Sequence, residues 1–334
     1  MPCQEPPKIC PVCKEEANFK FIQDYQNKWG RWSLYECSKC KVQFWMPFEE
    51  VCEKKYEEDV DYTSKLNILN RENCWLMVKD YWNMNQFITH LPFKDPKGKK
   101  LLDLGCGTGE FLVVMQNLGY EVEGVDFNKK AVNIARYHLG IDNVYQEDVI
   151  NFLKDKQEEY DVITAFEIIE HIDQPKKLLE LTFQALKPGG YFAVSIPNRE
   201  RYFEKITPEI EPWDFPYQHL TRWNLEALKR FIESHSFDII LTKKEIPVGW
   251  VMARLRFTLE SLFKKRKSFG PVEKVRDCFG FKKYKFVKSL IKSAVYPLAF
   301  FLFYFFNFQG GELYILAKKK QHALSKTTKN VSSL

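Results

Sequence analysis

Between residues 100 and 245 the apolar positions fall into short runs that alternate with longer amphipathic stretches. The runs at 101–104, 122–126, 144–147, 160–166, 191–196 and 237–245 predict strands. The stretches from Glu110 onward and at 129–138, 175–186 and 225–234 predict helices, with Lys187-Pro188-Gly189-Gly190 as a turn and Thr221 as a helix cap. Such alternation predicts an α/β fold: a Rossmann-like, doubly wound, mostly parallel sheet that places ligands at the C-terminal ends of its strands.

The pattern changes on either side of this core. Residues 1–47 are strand-like and rich in aromatic side chains, and they contain Cys10-Pro-Val-Cys13 and Cys37-Ser-Lys-Cys40. Four thiolates in two matched pairs can close one tetrahedral zinc site, which a short segment with little core of its own needs as a staple. Because all four ligands are sulfur, zinc at Cys10, Cys13, Cys37 and Cys40 is expected to be structural. A redox C-x-x-C is the rival reading, weakened by the matched pairs and by the absence of a helix pattern after either one. Residues 48–97 predict a helical cap or connector carrying Tyr56, Tyr62, Trp75, Tyr81 and Trp82, where core packing competes with a role at the acceptor site. The sheet core then spans 98–249 and an insertion spans 250–311. Its last strand is 312–320, and the polar, serine-rich 321–334 is expected to be a disordered tail.

Composition changes the picture mainly in the insertion. The chain is 45% hydrophobic and carries +6. Thirteen Lys or Arg against Glu260, Glu273 and Asp277 put +10 between residues 254 and 292, which leaves −4 elsewhere. Residues 293–311 then carry no charge at all. A basic stretch followed by an apolar aromatic one, interrupted by Pro297 and too short to span a bilayer, fits a segment lying on an anionic membrane surface over 254–308. A buried helix, a dimer contact or an RNA contact are the alternatives. Cys3, Cys52, Cys74, Cys106 and Cys278 show no disulfide framework, and the N-terminus shows neither a basic start nor an apolar segment. Both point to a cytoplasmic protein without a signal peptide, peripheral at the inner membrane face if the insertion docks there.

The chemistry concentrates where the first predicted strand meets its helix. Gly105, Gly107 and Gly109 on alternate residues allow a tight turn and close approach of backbone N–H groups to a ligand. Asp103 would repel a pyrophosphate but attract a ligand bearing an ammonium and a sulfonium, which favours S-adenosylmethionine over a dinucleotide. Asp126 closes the second strand where a carboxylate can accept from ribose hydroxyls, Asp148 follows the third as an acceptor for an adenine amino group, and Phe166 closes the fourth within the same group. Beyond Phe166 lie Glu167, Glu170 and His171, expected on one face of a starting helix, and further on His219. These four suit a general base, a site for a second divalent metal, or simple bracing.

The set D-x-G-x-G-x-G (103–109), Asp126 and Asp148 resembles the class I S-adenosylmethionine-dependent methyltransferases over roughly residues 60–250 plus 313–317. The resemblance implies a seven-stranded sheet whose last strand runs antiparallel and pairs with the sixth. About 65 residues part those two strands here, far more than a hairpin needs, so the segment is an insertion with its own role. The stretches Glu167-Ile-Ile-Glu-His171 and Gln218-His-Leu-Thr-Arg-Trp223 are similar to those of ubiquinone-type and zinc-ribbon sugar methyltransferases, which implies a small-molecule or glycan hydroxyl as acceptor. An RNA methyltransferase with the ribbon as clamp and a non-catalytic cofactor-binding subunit are the alternatives. Nucleic acid is disfavoured by the mixed charge of the ribbon, and the sequence leaves the oligomeric state open.

Overall fold

The computed structural model describes residues 2–28, 30–48, 66–201, 214–216, 218–248, 251, 281–306 and 309–321. Tyr56, Tyr62, the basic residues of 254–280 and the tail 322–334 lie outside them.

A seven-stranded sheet forms the core: β4 (Lys100–Leu104), β5 (Glu121–Asp126), β6 (Val144–Gln146), β7 (Tyr160–Phe166), β8 (Leu186–Pro197), β10 (Phe237–Lys244) and β11 (Glu312–Lys319). Their order is β10-β11-β8-β7-β4-β5-β6, with β11 antiparallel to both neighbours and the strands from β8 to β6 parallel. The expected pairing of the last two strands holds, from Phe237↔Lys319 to Lys244↔Leu313. β7 is buried at all seven positions, as a central strand covered on both faces must be. Alternate residues feed two cores. Leu102, Leu104, Ile163 and Ala165 pack on one side, and Leu101, Val162, Phe166 and Tyr314 on the other.

The helices named here are α1 (Arg71–Val78), α2 (Trp82–Thr89), α3 (Glu110–Leu118), α4 (Lys129–Asn133), α5 (Val149–Leu153), α6 (Pro175–Ala185), α7 (Leu225–Glu233) and α8 (Phe281–Phe306). Two local expectations need correction. Lys187-Pro-Gly-Gly190 is not a turn ahead of a strand. It lies inside β8 as a bulge, because pairing with β7 jumps from Tyr160↔Leu186 to Val162↔Tyr191. Thr221 does not cap α7. Asn224 does, accepting from the Ala227 N–H at 2.9 Å, while Thr221 Oγ1 accepts from Trp223 Nε1 at 2.8 Å.

The N-terminal sheet consists of β1 (Phe19–Asn27), β2 (Gly30–Cys37), β3 (Gln43–Met46) and β9 (Thr221–Arg222), in that order. Its fourth strand thus comes from the core, two residues after His219. Trp45 N–H donates to Leu220 O at 3.0 Å and Trp45 Nε1 to Asp214 O at 3.2 Å. Val12, Tyr35 and Phe44 are buried in one continuous cluster with Trp223 and Phe231, so the cysteine-bearing sheet shares its apolar interior with the main fold. The short N-terminal segment thereby gains burial that it could not achieve alone.

Candidate active site

The glycine loop joins β4 to α3 and is tied to the end of β5. Asp126 Oδ2 accepts from Gly107 N–H at 2.9 Å and Oδ1 from Asn128 N–H at 2.8 Å. Gly105 N–H donates to Val125 O at 2.8 Å. Two glycines show what the loop requires. A Cβ on Gly105 (φ 70°) would lie 1.9 Å from Ile168 Cδ1, so this loop packs directly on the turn that carries the acidic residues. A Cβ on Gly107 (φ 53°) would meet nothing within 4 Å, which leaves open the side from which a ligand can approach the backbone. An open glycine backbone beside a buried carboxyl fits the ribose and methionine ends of S-adenosylmethionine, which Gly105, Gly107, Gly109 and Asp126 could hold.

The other cofactor-group residues behave differently from the simple expectation. Asp103 is 3% exposed and accepts from Thr164 Oγ1 at 2.6 Å. Burial pushes its carboxyl up to about 7; the Thr164 bond opposes this and the Asp126 charge adds to it. It is therefore an interior group that titrates near neutrality, and not the fixed negative charge assumed from the sequence. Asp148, half-buried, caps α5 by accepting from Asn151 N–H at 2.9 Å. Phe166 stacks edge-on with Phe111, at 5.3 Å between centroids, inside the core.

At the C-terminal ends of β7 and β8 lies a second polar group. No helix begins at Glu167; only a single 3-10 turn, Ile169–His171, follows β7. Glu167 takes φ 57°, rare for a side chain with a Cβ, and its Oε1 accepts from Ser195 Oγ at 3.0 Å. Ser195 Oγ in turn accepts from Asn83 Nδ2 at 3.0 Å. Burial first, then the nearby Glu170 charge, hold the Glu167 carboxyl well above its ordinary range.

Glu170, His171 and His219 converge apart from Glu167: one ligand atom from each lies within 4.8 Å of the other two. The Glu170 side chain is 1% exposed and among the described residues neither of its oxygens has a hydrogen-bond partner; His171 Nε2 is 3.8 Å away. Burial lifts this carboxyl to about 8. His171 keeps 22% of its side chain accessible. Its Nδ1 lies 2.6 Å from Gln218 O, so it is the protonated nitrogen and Nε2 keeps its lone pair. Burial, then the charge of His219, lower the imidazole to about 3, so it is neutral near pH 7.

The two imidazoles meet edge to face at 4.7 Å. His219 Nδ1 lies 3.2 Å from Asp214 Oδ1, while Arg201 and Arg222 both bind Asp214 Oδ2. Burial opposes ionisation of Asp214, but His219 and the two guanidiniums outweigh it and hold the carboxyl below its ordinary value. Asp214, Arg201, Ser195 and Asn83 are absent from the sequence-based site. Only Asp214, five residues before His219, left a local signal.

The four cysteines form a separate centre. Their sulfurs lie within 4.8 Å of one another, and the Cys10 and Cys40 Sγ atoms are 3.8 Å apart. That is the edge of a tetrahedron with Zn–S bonds of about 2.3 Å. The two knuckles match: Lys14 (φ 60°) donates to Cys10 O at 2.9 Å and Lys41 (φ 64°) to Cys37 O at 3.1 Å. Contact with Cys13 pushes the Cys10 thiol up to about 12, Cys10 and Cys13 raise Cys40 further, and Cys13 itself is lowered; a cation among the four sulfurs would let them ionise together.

Comparison with known proteins agrees with this architecture. A family model described as a methyltransferase domain matches residues 80–242. Ubiquinone biosynthesis O-methyltransferase of Proteus mirabilis is 36% identical over 108 residues, 31% of this chain and 44% of that protein. The protein of the same name from Idiomarina loihiensis is 40% identical over 106 residues, 30% and 44%. The chain thus spans less than half the length of the curated relatives it matches. A solved phosphoethanolamine N-methyltransferase 2 of Haemonchus contortus shares the fold at 16% identity with a TM-score of 0.50, covering 90% of this chain and 71% of that one. Residues 80–242 thus match a methyltransferase domain, and the sheet order is that of a Rossmann-like methyltransferase fold.

Proposed function

We propose that this chain transfers the methyl group of S-adenosylmethionine to a hydroxyl, with His219 as the general base. The observation that carries the reading is the dyad at the acceptor edge: His219 Nδ1 faces Asp214 Oδ1 at 3.2 Å, and two arginines hold Asp214 ionised. An imidazole whose Nδ1–H donates to a carboxylate keeps Nε2 as the proton acceptor and gains a stabilised imidazolium once the proton arrives. The sulfonium methyl is already activated by the cofactor, so the protein's tasks are orientation and removal of the hydroxyl proton. The acceptor class favoured by the acidic and histidine stretches is a saccharide hydroxyl or that of a lipid-linked glycan. A lipid-linked acceptor would have the chain working as a peripheral protein at the inner membrane face.

A second reading has its own support. Glu170 presents to His171 Nε2 two buried oxygens that have no hydrogen-bond partner among the described residues. His171 and His219 each have Nδ1 engaged by a carbonyl or a carboxylate, the arrangement that orients metal-ligating imidazoles. Glu170, His171 and His219 would then hold a divalent cation, which supplies Lewis acidity that lowers the acceptor's pKa. Dialysis against a chelator too weak to strip the four-cysteine site should abolish turnover if this holds, with recovery on adding Mg²⁺, Mn²⁺ or Zn²⁺.

The functional test is transfer of labelled methyl from S-adenosylmethionine into a fractionated extract, wild type against His219→Ala. Label in sugar or lipid fractions that disappears in the variant supports the proposal. Label in RNA overturns the acceptor class. No transfer, with intact cofactor binding, favours a non-catalytic subunit.

A further inference from the structure

The element that the catalytic reading leaves unused is α8. It enters the core where β11 begins, and Glu312 pairs with Pro197 at the C-terminal end of β8. Asn198 Nδ2 donates to Gln309 Oε1 at 3.1 Å and to Gly310 O at 3.2 Å. Gln309 follows Phe306 by three positions, a reach of at most about 11 Å. The aromatic end of α8 therefore arrives at the strand edge that carries Ser195, Glu167 and the histidine pair. Further back along the helix, Lys292 Nζ lies 3.8 Å from Asp80 Oδ1.

Between residues 290 and 305 one narrow stripe faces the protein. Ala299 is buried and Lys292, Val295, Leu302 and Phe303 are half-buried. Everything else on this part of the helix is exposed, and nearly all of it is apolar: Tyr296 at 47%, Phe301 at 47%, Tyr304 at 71% and Phe305 at 66%, with Leu290, Ile291, Leu298 and Phe300 alongside. Tyr296, Phe300 and Tyr304 stack successively at 6.2 and 6.1 Å. At 3.6 residues per turn the exposed apolar positions cover more than half the circumference. A rigid protein partner covers one flank of a helix, whereas a fluid apolar phase closes round three sides of it.

Charge and length narrow the occupant further. The first twelve residues of α8 contain five lysines, at 282, 283, 285, 288 and 292, and no acid, while its last fourteen have no charge. Fourteen residues rise about 21 Å, short of the roughly 30 Å hydrocarbon core of a bilayer. Among the described residues no helix is long and apolar enough to cross a membrane. A lysine-rich half followed by a neutral aromatic half suits a helix lying in the plane of an anionic leaflet, where phosphate headgroups meet the lysines and the rings sink below them.

We propose that α8 docks the chain on an anionic lipid leaflet, half-sunk through Tyr296, Phe300, Phe301, Tyr304 and Phe305. The acceptor edge of the sheet then faces the headgroups, and its substrate is an amphiphile whose hydroxyl-bearing head enters from the lipid side. The substrate part of this proposal rests on the methyl-transfer reading; the docking part does not.

The test is flotation of the full chain with phosphatidylcholine vesicles, with and without 30% phosphatidylglycerol, comparing wild type with Phe301→Glu/Tyr304→Glu and with Lys282→Gln/Lys283→Gln/Lys285→Gln. Cofactor binding by each variant, measured in parallel, reports an intact core. Wild type should float with anionic vesicles, and each variant should lose at least tenfold in apparent affinity while binding S-adenosylmethionine as before. Failure of wild type to float, equal binding to neutral vesicles by wild type and both variants, or burial of this face in a homodimer that the glutamate variant dissociates would each overturn the docking. If wild type floats but methylates no lipid and only soluble hydroxyl compounds, the amphiphilic substrate falls while the dock stands. If it transfers no methyl at all, the methyl-transfer reading fails separately.

Discussion

The two polar edges of this sheet solve different problems. At the glycine loop, Asp126 accepts one backbone N–H on each oxygen, and Gly105 is closed over by Ile168. Adjacent to it in space, the second edge keeps a buried carboxyl at Glu170 with no hydrogen-bond partner among the described residues and a left-handed backbone at Glu167. A satisfied site is preorganised and stable, whereas a buried, unsatisfied one persists only because the surrounding fold over-determines it. On the proposed reading the first edge holds the cofactor and the second meets the acceptor.

The sharpest way to break that division is His219→Ala. Loss of a positioned general base should lower the single-turnover rate by about 10²–10⁴-fold. Cofactor affinity, measured by calorimetry, should stay within about twofold of wild type, because His219 lies outside the glycine-loop group.

Asp126→Ala should do the reverse. Two backbone N–H groups that shape the glycine loop lose a charged acceptor at about 1.5–3 kcal/mol each, so cofactor affinity should fall by up to about two to four orders of magnitude. At saturating cofactor the acceptor step should then largely recover. A rate that stays low would mean that the two edges are not separable.

Gly105→Ala probes the seam between them. The new Cβ falls on Ile168 and the residue must keep φ 70°, so a loss of about 1–3 kcal/mol in unfolding free energy is expected, with cofactor affinity and rate both falling. A companion Ile168→Ala change should restore part of the stability, which a purely conformational penalty at φ 70° would not allow.

Asp103→Asn is the smallest change and tests electrostatics alone. Its carboxyl is raised in the fold from 3.8 to about 7, so its contribution is fully present below pH 3.8 and is lost as pH rises towards 7. Asparagine keeps an acceptor for Thr164 and has nothing to lose. The variant should therefore gain on wild type by up to about 1.4 kcal/mol per pH unit across that window and by a constant amount above it. Urea unfolding at pH 5 and pH 8 measures the gap, and a gap that does not grow would place the titration elsewhere.

What was legible in the sequence follows the same division. β4, the glycine loop and Asp126 lie within 27 residues and their chemistry is local, so spacing alone locates the cofactor edge. The cysteine knuckles are legible for the same reason. The acceptor edge draws Asn83, Glu167, Ser195, Arg201, Asp214 and His219 from distant parts of the chain, and a one-dimensional reading finds only the two histidine stretches. Tertiary pairing also overrode local signals. Thr221 looks like a cap but is taken up as β9 by the N-terminal sheet, which leaves Asn224 to cap α7. Lys187-Pro-Gly-Gly190 looks like a turn, yet β8 absorbs it to come back into register with β7. Asp103 looks like a surface charge because burial cannot be read from a single residue.

The central claim is that proton removal at the acceptor belongs to His219 as oriented by Asp214, on an edge distinct from the one holding the cofactor. The pH dependence of the single-turnover rate at saturating S-adenosylmethionine, wild type against Asp214→Asn, tests it most directly. The account predicts that Asp214→Asn drops the high-pH plateau by at least about 10²-fold with cofactor affinity unchanged. An unchanged plateau in Asp214→Asn, or a loss matched by an equal loss of cofactor binding, would contradict it.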